Sequence, residues 1–142
     1  MLIRMLYVST AVGPQTTTVT GTILRSAQAF NAENGITGVL CQGQGVWLQI
    51  LEGGRSEINA LYGRIAADKR HKDVQLMVFE DIAQRRYGAW AMAHVDLTDT
   101  DPMLAVTAPD TAFDPYAATG ERVMARIDSL IATGKVMGAP VV

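Results

Sequence analysis

The sequence has few of the residues on which most enzyme chemistry depends. Among its 142 residues are one cysteine and two histidines, and Cys41, His71 and His94 show no recognised metal-ligand spacing. No phosphate-binding loop or nucleophile motif is present, because GQG and EGG fall at predicted hairpin and helix-start positions. An enzyme is therefore not expected. A lone cysteine excludes an internal disulfide and fits a reducing compartment, so we expect a cytoplasmic protein.

An excess of charge of one sign is also missing. The 12 basic and 14 acidic residues give a formal net charge of −2, which offers no electrostatic footprint for nucleic acid. The N-terminal run MLIRMLYVS is short and contains Arg4, so we expect neither a signal peptide nor a membrane span. A composition that is 49% hydrophobic and 18% charged is typical of one globular domain.

Hydrophobic periodicity predicts an α+β fold. The expected order is a strand over 2–8, a helix over about 18–33, a hairpin formed by ITGVLCQ and VWLQILE, a helix for which Ser56 is a possible cap, and the strands VQLMVFED and WAMAHVDL. This order is the ferredoxin-like βαββαβ sandwich with an extra strand, in which two helices cover one sheet face.

The opposite sheet face needs its own cover, because the first strand is apolar on both sides. Residues 98–115 are rich in Asp, Thr and Pro and are interpreted as a linker. The segment from about 117 to 134 is amphipathic, so we expect this C-terminal helix to pack on the open face. Docking on a partner is the alternative.

Gln49 is a carboxamide inside an apolar strand. Alternation places it with Trp47 and Leu51 on one face, while Val46, Leu48 and Ile50 share the other. A buried amide without partners costs about 1–3 kcal/mol, so something must bond to it. A neighbouring backbone group or an ordered water would suffice, and a ligand is the alternative.

Further polar and aromatic residues are expected near Gln49. In a ferredoxin-like sheet the first and third strands are neighbours, so Tyr7 and Gln49 could share a hydrogen bond. Asn31 ends the first helix, and Trp90 and Met92 are expected to share a face of the last strand with His94. Taken singly, Tyr7, Trp90 and Met92 are of types usually found in a core.

Five motifs carry a resemblance to a known family. They are YVS around Tyr7, FNAENGITGVL around Asn31, GVWLQILEG around Gln49, DKRH at 68–71 and IAQRRYGAWAM ending at Met92. In this order and spacing they resemble the BLUF family of blue-light receptors, over about residues 2–97. The resemblance implies a flavin, normally FAD, whose ring lies between the two helices beside Tyr7 and Gln49.

The resemblance also implies roles for single residues. Tyr7 would donate an electron and a proton to the photoexcited flavin, and Gln49 would bridge Tyr7 to the flavin and rearrange by rotation or tautomerisation. Asn31 would hold the pyrimidine end of the ring, while Trp90 and Met92 would relay the change. Contacts with the flavin are further implied for Ile23, Ile65, Arg64, Asp68 and His71.

This interpretation divides the chain into a flavin-binding domain at 1–97 and a linker with a C-terminal helix at 98–142. We expect no catalytic output domain, so the signal would pass to an unknown protein partner or through a homo-oligomer. Neither nucleic acid nor a membrane is expected as a partner. The alternatives are a flavin-free ferredoxin-like interaction module and a small hydrolase of the acylphosphatase kind.

Overall fold

The computed structural model describes residues 1–97, 114–134 and 136–137. The elements in chain order are β1 (Leu2–Ala11), α1 (Thr17–Asn34), β2 (Thr37–Gly43), β3 (Val46–Gly54), α2 (Arg55–Ala66), β4 (His71–Ile82), β5 (Ala93–Asp96), α3 (Gly120–Ala132) and β6 (Val136–Met137). The predicted α+β order is confirmed, and the short strand β6 was not predicted.

The strands form one mixed sheet in the order β4-β1-β3-β2-β5-β6. Neighbouring strands are antiparallel except for β2 and β5, which run parallel. Strands β1 and β3 are central, as their apolar character on both faces predicts. Their register places Tyr7 directly opposite Gln49, so the expected adjacency of the first and third strands is confirmed.

The sheet separates two hydrophobic cores. The first lies beneath α1 and α2, and its buried residues on the two central strands are Ile3, Met5, Tyr7, Trp47 and Leu51. The second lies on the opposite face and contains Leu6, Val8, Leu48 and Ile50 from the same two strands. The two-residue period of each strand therefore supplies both cores at once.

Helix α3 covers the second core. Its buried residues are Val123, Met124, Ile127 and Leu130, which recur at helical spacing. The Thr119 side chain caps the helix by accepting a hydrogen bond from the backbone N–H of Arg122. The prediction that the C-terminal helix packs on the open sheet face is confirmed. Most of the predicted linker, residues 98–113, lies outside the described residues.

The prediction that the last strand contains Trp90 and Met92 is wrong. The strand begins at Ala93, and the two residues lie in the preceding segment on different sides of the sheet. The Ala91 and Met92 carbonyls accept from the side chains of Asn31 and Gln28 on α1, while the Trp90 carbonyl accepts from the backbone N–H of Gly38 on β2.

Two smaller predictions also need correction. Helix α2 begins after Gly54 with no side-chain cap, so Ser56 is not its cap. The basic run DKRHK at 68–72 predicts the end of this helix, but the helix ends at Ala66 and His71 is the first residue of β4, so the run lies beyond the helix. No helix within the described part of the chain is long and apolar enough to cross a membrane.

Candidate functional site

A cavity of about 180 Å³ lies between helices α1 and α2 above the central strands. Of the ten site residues predicted from the sequence, eight line it: Tyr7, Ile23, Asn31, Gln49, Arg64, Ile65, Asp68 and His71. They come from β1, α1, β3, α2, the following turn and the start of β4, so the fold brings together residues that are far apart in the sequence.

Tyr7 and Gln49 form a buried hydrogen-bonded pair at the floor of the cavity. The Tyr7 hydroxyl donates to Gln49 Oε1 at 2.6 Å, and both residues are no more than 5% exposed. Burial raises the pKa of Tyr7 well above its ordinary value, and the nearby Asp68 carboxylate adds to the rise. The phenol therefore keeps its proton, which fixes Tyr7 as donor and the Gln49 oxygen as acceptor.

The nitrogen of the Gln49 amide faces a sulfur atom. Nε2 lies 3.6 Å from Met92 Sδ, a weak acceptor. Met92 is buried in the same core as Tyr7, whereas Trp90 packs against the core beneath α3. Of the two residues predicted as relays, the structure thus brings Met92 to Gln49 and does not bring Trp90 there.

Asn31 presents an unpaired acceptor at another part of the cavity wall. Its Nδ2 donates to the Ala91 carbonyl at 2.8 Å, while its Oδ1 is buried and bonds to none of the described residues. Gly35, at φ 65°, ends α1 just beyond and returns its N–H to the Asn31 carbonyl. An unsatisfied buried acceptor costs about 1–3 kcal/mol, a cost that a ligand N–H would remove.

The two helices provide apolar walls. Ile23 extends from α1 and Ile65 from α2, and both side chains pack partly buried against the core under the cavity. The Arg64 guanidinium lies 4.5 Å from the centroid of the Phe30 ring, which joins the two helices beside the cavity. A planar apolar ring edged with polar groups fits this arrangement of walls and floor.

Asp68 and His71 have partners within the protein. Asp68 accepts from Arg70 at 2.6 Å, and that hydrogen bond is the main cause that lowers the pKa of the Asp68 carboxyl. His71 Nδ1 lies 2.7 Å from Ser9 Oγ, and His71 Nε2 lies 2.5 Å from the Ile65 carbonyl oxygen. These residues shape the cavity, and their contact with a ligand stays a prediction.

One residue that lines the site and one buried ion pair outside it were missed in the sequence. Trp47 lines the cavity, and the alternation that places it on the same strand face as Gln49 was the available signal for it. Glu52 lies three residues beyond Gln49, is completely buried, and accepts from Arg4 Nε and from the backbone N–H groups of Arg86 and Tyr87. An acidic residue in the apolar run VWLQILEG was the available signal for this buried ion pair.

The residues present fit a flavin. The unpaired Asn31 oxygen matches the imide N–H of a flavin ring, Gln49 can present its amide to the polar edge, and the apolar walls match the ring faces. No group of three or more His, Cys, Asp or Glu side chains that could hold a metal ion occurs among the described residues.

Comparison with known proteins agrees with this geometry. The family model described as BLUF, sensors of blue-light using FAD, matches residues 2–93. Photoactivated adenylate cyclase subunit alpha of Euglena gracilis is 38% identical over 109 residues, and subunit beta of Euglena longa is 34% identical over 109 residues. The matches cover 76% of this chain and 10% and 12% of those proteins, so the chain spans about a tenth of the length of these relatives.

Solved structures share this fold. The dark-state structure of BlrB, a BLUF protein, has a TM-score of 0.74 at 27% identity and covers 94% of this chain and 96% of its own. The photo-activated state of BlsA has a TM-score of 0.80 at 23% identity, with coverages of 92% and 95%, and shows the shared fold. By the match of the family model to residues 2–93, and with a cavity that fits a flavin, this chain belongs to the BLUF family of blue-light sensors.

Proposed function

We propose that Tyr7 and Gln49 are the photochemical pair of this sensor and that the flavin is FAD, as the family description states. The observation that carries the proposal is the 2.6 Å bond between the Tyr7 hydroxyl and Gln49 Oε1 at the floor of a cavity that a flavin fits. When bound, the flavin supplies absorption of blue light and an excited ring that accepts an electron.

Tyr7 is suited to donate that electron together with its proton. A phenol is oxidisable, and its proton already points along a short hydrogen bond to Gln49. Because Tyr7 is buried and protonated, no competing solvent acceptor takes the proton. Loss of this proton removes the donor that holds Gln49 Oε1 in place.

Gln49 is then free to exchange its donor and acceptor directions. A carboxamide presents two N–H donors on one side and a carbonyl acceptor on the other, so a rotation or a tautomerisation reverses its pattern with little movement. The weak Nε2 contact to Met92 Sδ is the other bond that such a change would alter. The amide is therefore the bistable element of the site.

Asn31 would hold the ring from its edge, with Ile23 and Ile65 against its two faces. Arg64, Asp68 and His71 complete the wall and would contact the flavin from there. Asn31→Ala should weaken flavin binding by roughly tenfold, since a hydrogen bond of about 1.4 kcal/mol is lost. Asn34→Ala is the matched control, because Asn34 lies on the same helix and its side chain donates to the Phe30 carbonyl of that helix.

The decisive experiment is illumination of the purified protein loaded with FAD. Blue light should shift the flavin absorption to longer wavelength, and darkness should reverse the shift. Tyr7→Phe should keep the bound flavin and lose the shift, whereas Tyr62→Phe should keep both. Tyr62 is the matched control because its ring lies 6.4 Å from that of Tyr7 on the neighbouring helix. A Tyr7→Phe protein that still photocycles would refute the role of Tyr7.

We further propose that residues 1–97 form the sensing domain and that residues 98–142 carry the signal to a protein partner or a second copy of the chain. Asp128 of α3 supports this route for the signal, because its carboxylate accepts from Tyr87 Oη at 2.5 Å and from Arg86 at 3.2 Å. Limited proteolysis in darkness and in light tests the idea. Cleavage within α3 that is the same in both conditions would contradict it.

A further inference from the structure

A second pair of side chains joins the two strands that hold Tyr7 and Gln49. Arg4 lies opposite Glu52 in the same β1–β3 register that places Tyr7 opposite Gln49. The two pairs are three residues apart on each strand, about 10 Å, so their side chains project from opposite faces of the sheet. Arg4 Nε donates to Glu52 Oε2 at 2.8 Å on the face that α3 covers.

The Glu52 carboxylate is completely buried and binds the chain segment that precedes β5. In addition to Arg4, the backbone N–H groups of Arg86 and Tyr87 donate to its two oxygens, at 3.0 and 2.7 Å. The Arg85 side chain donates at 2.9 Å to the backbone carbonyl of Glu52. A buried carboxylate that loses a donor is left with an uncompensated charge, so the segment that supplies these donors has to follow Glu52 when β3 moves.

The side chains of the same segment hold helix α3. The hydroxyl of Tyr87, a residue that is 2% exposed, donates to Asp128 Oδ1 at 2.5 Å, and the Arg86 guanidinium donates to Asp128 Oδ2 at 3.2 Å. Asp128 lies on α3 beside Ile127, which is buried in the core that this helix covers. Tyr87 therefore bonds to Glu52 by its backbone N–H and to α3 by its hydroxyl.

Building on the proposed function, we infer that Glu52 is a positioning residue that transmits the change at the Tyr7–Gln49 pair to helix α3. Exchange of the donor and acceptor directions of Gln49 alters the bond that joins β1 and β3 on the cavity face. The two strands adjust at that point, and Glu52, three residues further along β3, shifts with its strand. The backbone donors bound to its carboxylate shift with it and displace Asp128 of α3.

Another tyrosine anchors the start of α3 without contacting Glu52. Tyr116 lies in the turn before the helix, and its hydroxyl lies 2.7 Å from Thr10 Oγ1. The same hydroxyl donates to the backbone carbonyl of Asp73 at 3.0 Å. These contacts join the beginning of α3 to β1 and β4. Tyr116 is therefore a tyrosine whose hydroxyl holds the helix region outside the proposed route, which makes it a suitable comparison for Tyr87.

The test measures hydrogen exchange of the α3 backbone amides by mass spectrometry, in the whole chain loaded with FAD, in light and in darkness. Blue light should raise α3 exchange in the unmodified protein. Tyr87→Phe should keep the red shift and bring the light-to-dark ratio of α3 exchange to about one. Tyr116→Phe, the matched control, should keep the ratio of the unmodified protein. A purely structural role of Tyr87 would raise exchange in light and darkness alike, and would leave the ratio unchanged.

Glu52→Gln should also lower the ratio, because the amide leaves one acceptor oxygen for three donors. Glu80→Gln should not, although Glu80 bonds to the same Arg4 side chain. Where Glu52→Gln does not fold, Tyr87→Phe decides. An unchanged ratio in Tyr87→Phe, or an equal loss in Tyr116→Phe, would overturn the inference. A normal red shift without any change in α3 exchange would overturn it and leave the photochemical pair standing. A protein that binds FAD and shows no red shift would defeat the proposed function, and this inference with it.

Discussion

Met92 Sδ lies 3.6 Å from Gln49 Nε2, so a thioether, and not the Trp90 indole, is the neighbour of the amide on the side away from Tyr7. The Gln49 amide is thereby held between a strong donor and a weak acceptor. The hydroxyl of Tyr7 fixes its oxygen, while the sulfur of Met92 only favours its nitrogen. Because of this asymmetry, removal of the Met92 contact should change the balance between the present Gln49 amide arrangement and the one with donor and acceptor exchanged.

Met92→Leu should keep the red shift and slow its recovery in darkness by roughly two- to fivefold, the factor for about 0.5–1 kcal/mol of lost hydrogen bonding. The substitution keeps most of the side-chain volume and removes the sulfur acceptor. Absorption recorded after the light is switched off measures the rate. Met5→Leu is the control, because Met5 is buried in the same core. Equal recovery in both variants would show that the sulfur contact does not hold the amide.

Glu52→Gln should lower the free energy of unfolding by about 3–5 kcal/mol. The substitution removes the buried charge that pairs with Arg4 at 2.8 Å, and it disturbs the acceptor of two backbone N–H groups. Urea unfolding of both proteins measures the difference.

Glu80→Gln provides the control for Glu52. Glu80 bonds to the same Arg4 side chain at 3.1 Å, but its own side chain is half exposed. An exposed partner of this kind contributes about 0–1 kcal/mol. Equal losses for the two variants would mean that burial of Glu52 does not decide its contribution.

Tyr7 should make stability fall at alkaline pH. Its pKa in the folded protein is raised above the ordinary value of 10.0, mainly by burial, so the folded state keeps a proton that the unfolded chain releases. The contribution of Tyr7 to the free energy of unfolding is complete below pH 10. It is lost as the pH rises towards the folded pKa, by at most about 1.4 kcal/mol per pH unit. Unfolding of Tyr7→Phe between pH 9 and 11 should therefore show a shallower decline than unfolding of Tyr62→Phe.

Cys41 should be inert in the folded protein. It is completely buried in the core beneath α3, and burial raises its pKa to about 12. The reactive thiolate is therefore scarce and inaccessible at pH 8. Alkylation followed by mass spectrometry should label Cys41 only as fast as the protein opens. If light loosens α3, the rate of Cys41 alkylation should rise under blue light. An unchanged rate of alkylation would show that α3 stays packed on the core in the light.

Much of the fold follows from local pattern. The alternation in LIRMLYV and VWLQILE assigns each residue of the two central strands to a sheet face, and the structure confirms the assignment. The pairing of Tyr7 with Gln49 follows once the first and third strands are neighbours. These predictions succeed because a one-residue slip of either strand would turn its side chains to the wrong face of the sheet.

The failures lie where tertiary contacts override local preference. WAMAHVDL has the composition of a strand from its first residue, yet the Ala91 and Met92 carbonyls bond to side chains of α1, and regular strand pairing begins only at Ala93. No periodicity in the sequence could show these bonds. Glu52 was missed for a related reason, since its three donors come from β1 and from the segment before β5.

The two cores share a single layer of strands, so the proposed route from the flavin site to α3 would be short. Leu48 and Ile50, the immediate chain neighbours of Gln49, belong to the core that α3 covers. Stacked layers of this kind lie about 10 Å apart, so only the sheet would separate a change at the Gln49 amide from helix α3. A tilt or slide of β3 by less than one pleat would therefore move side chains in both hydrophobic cores at once, without other residues between them.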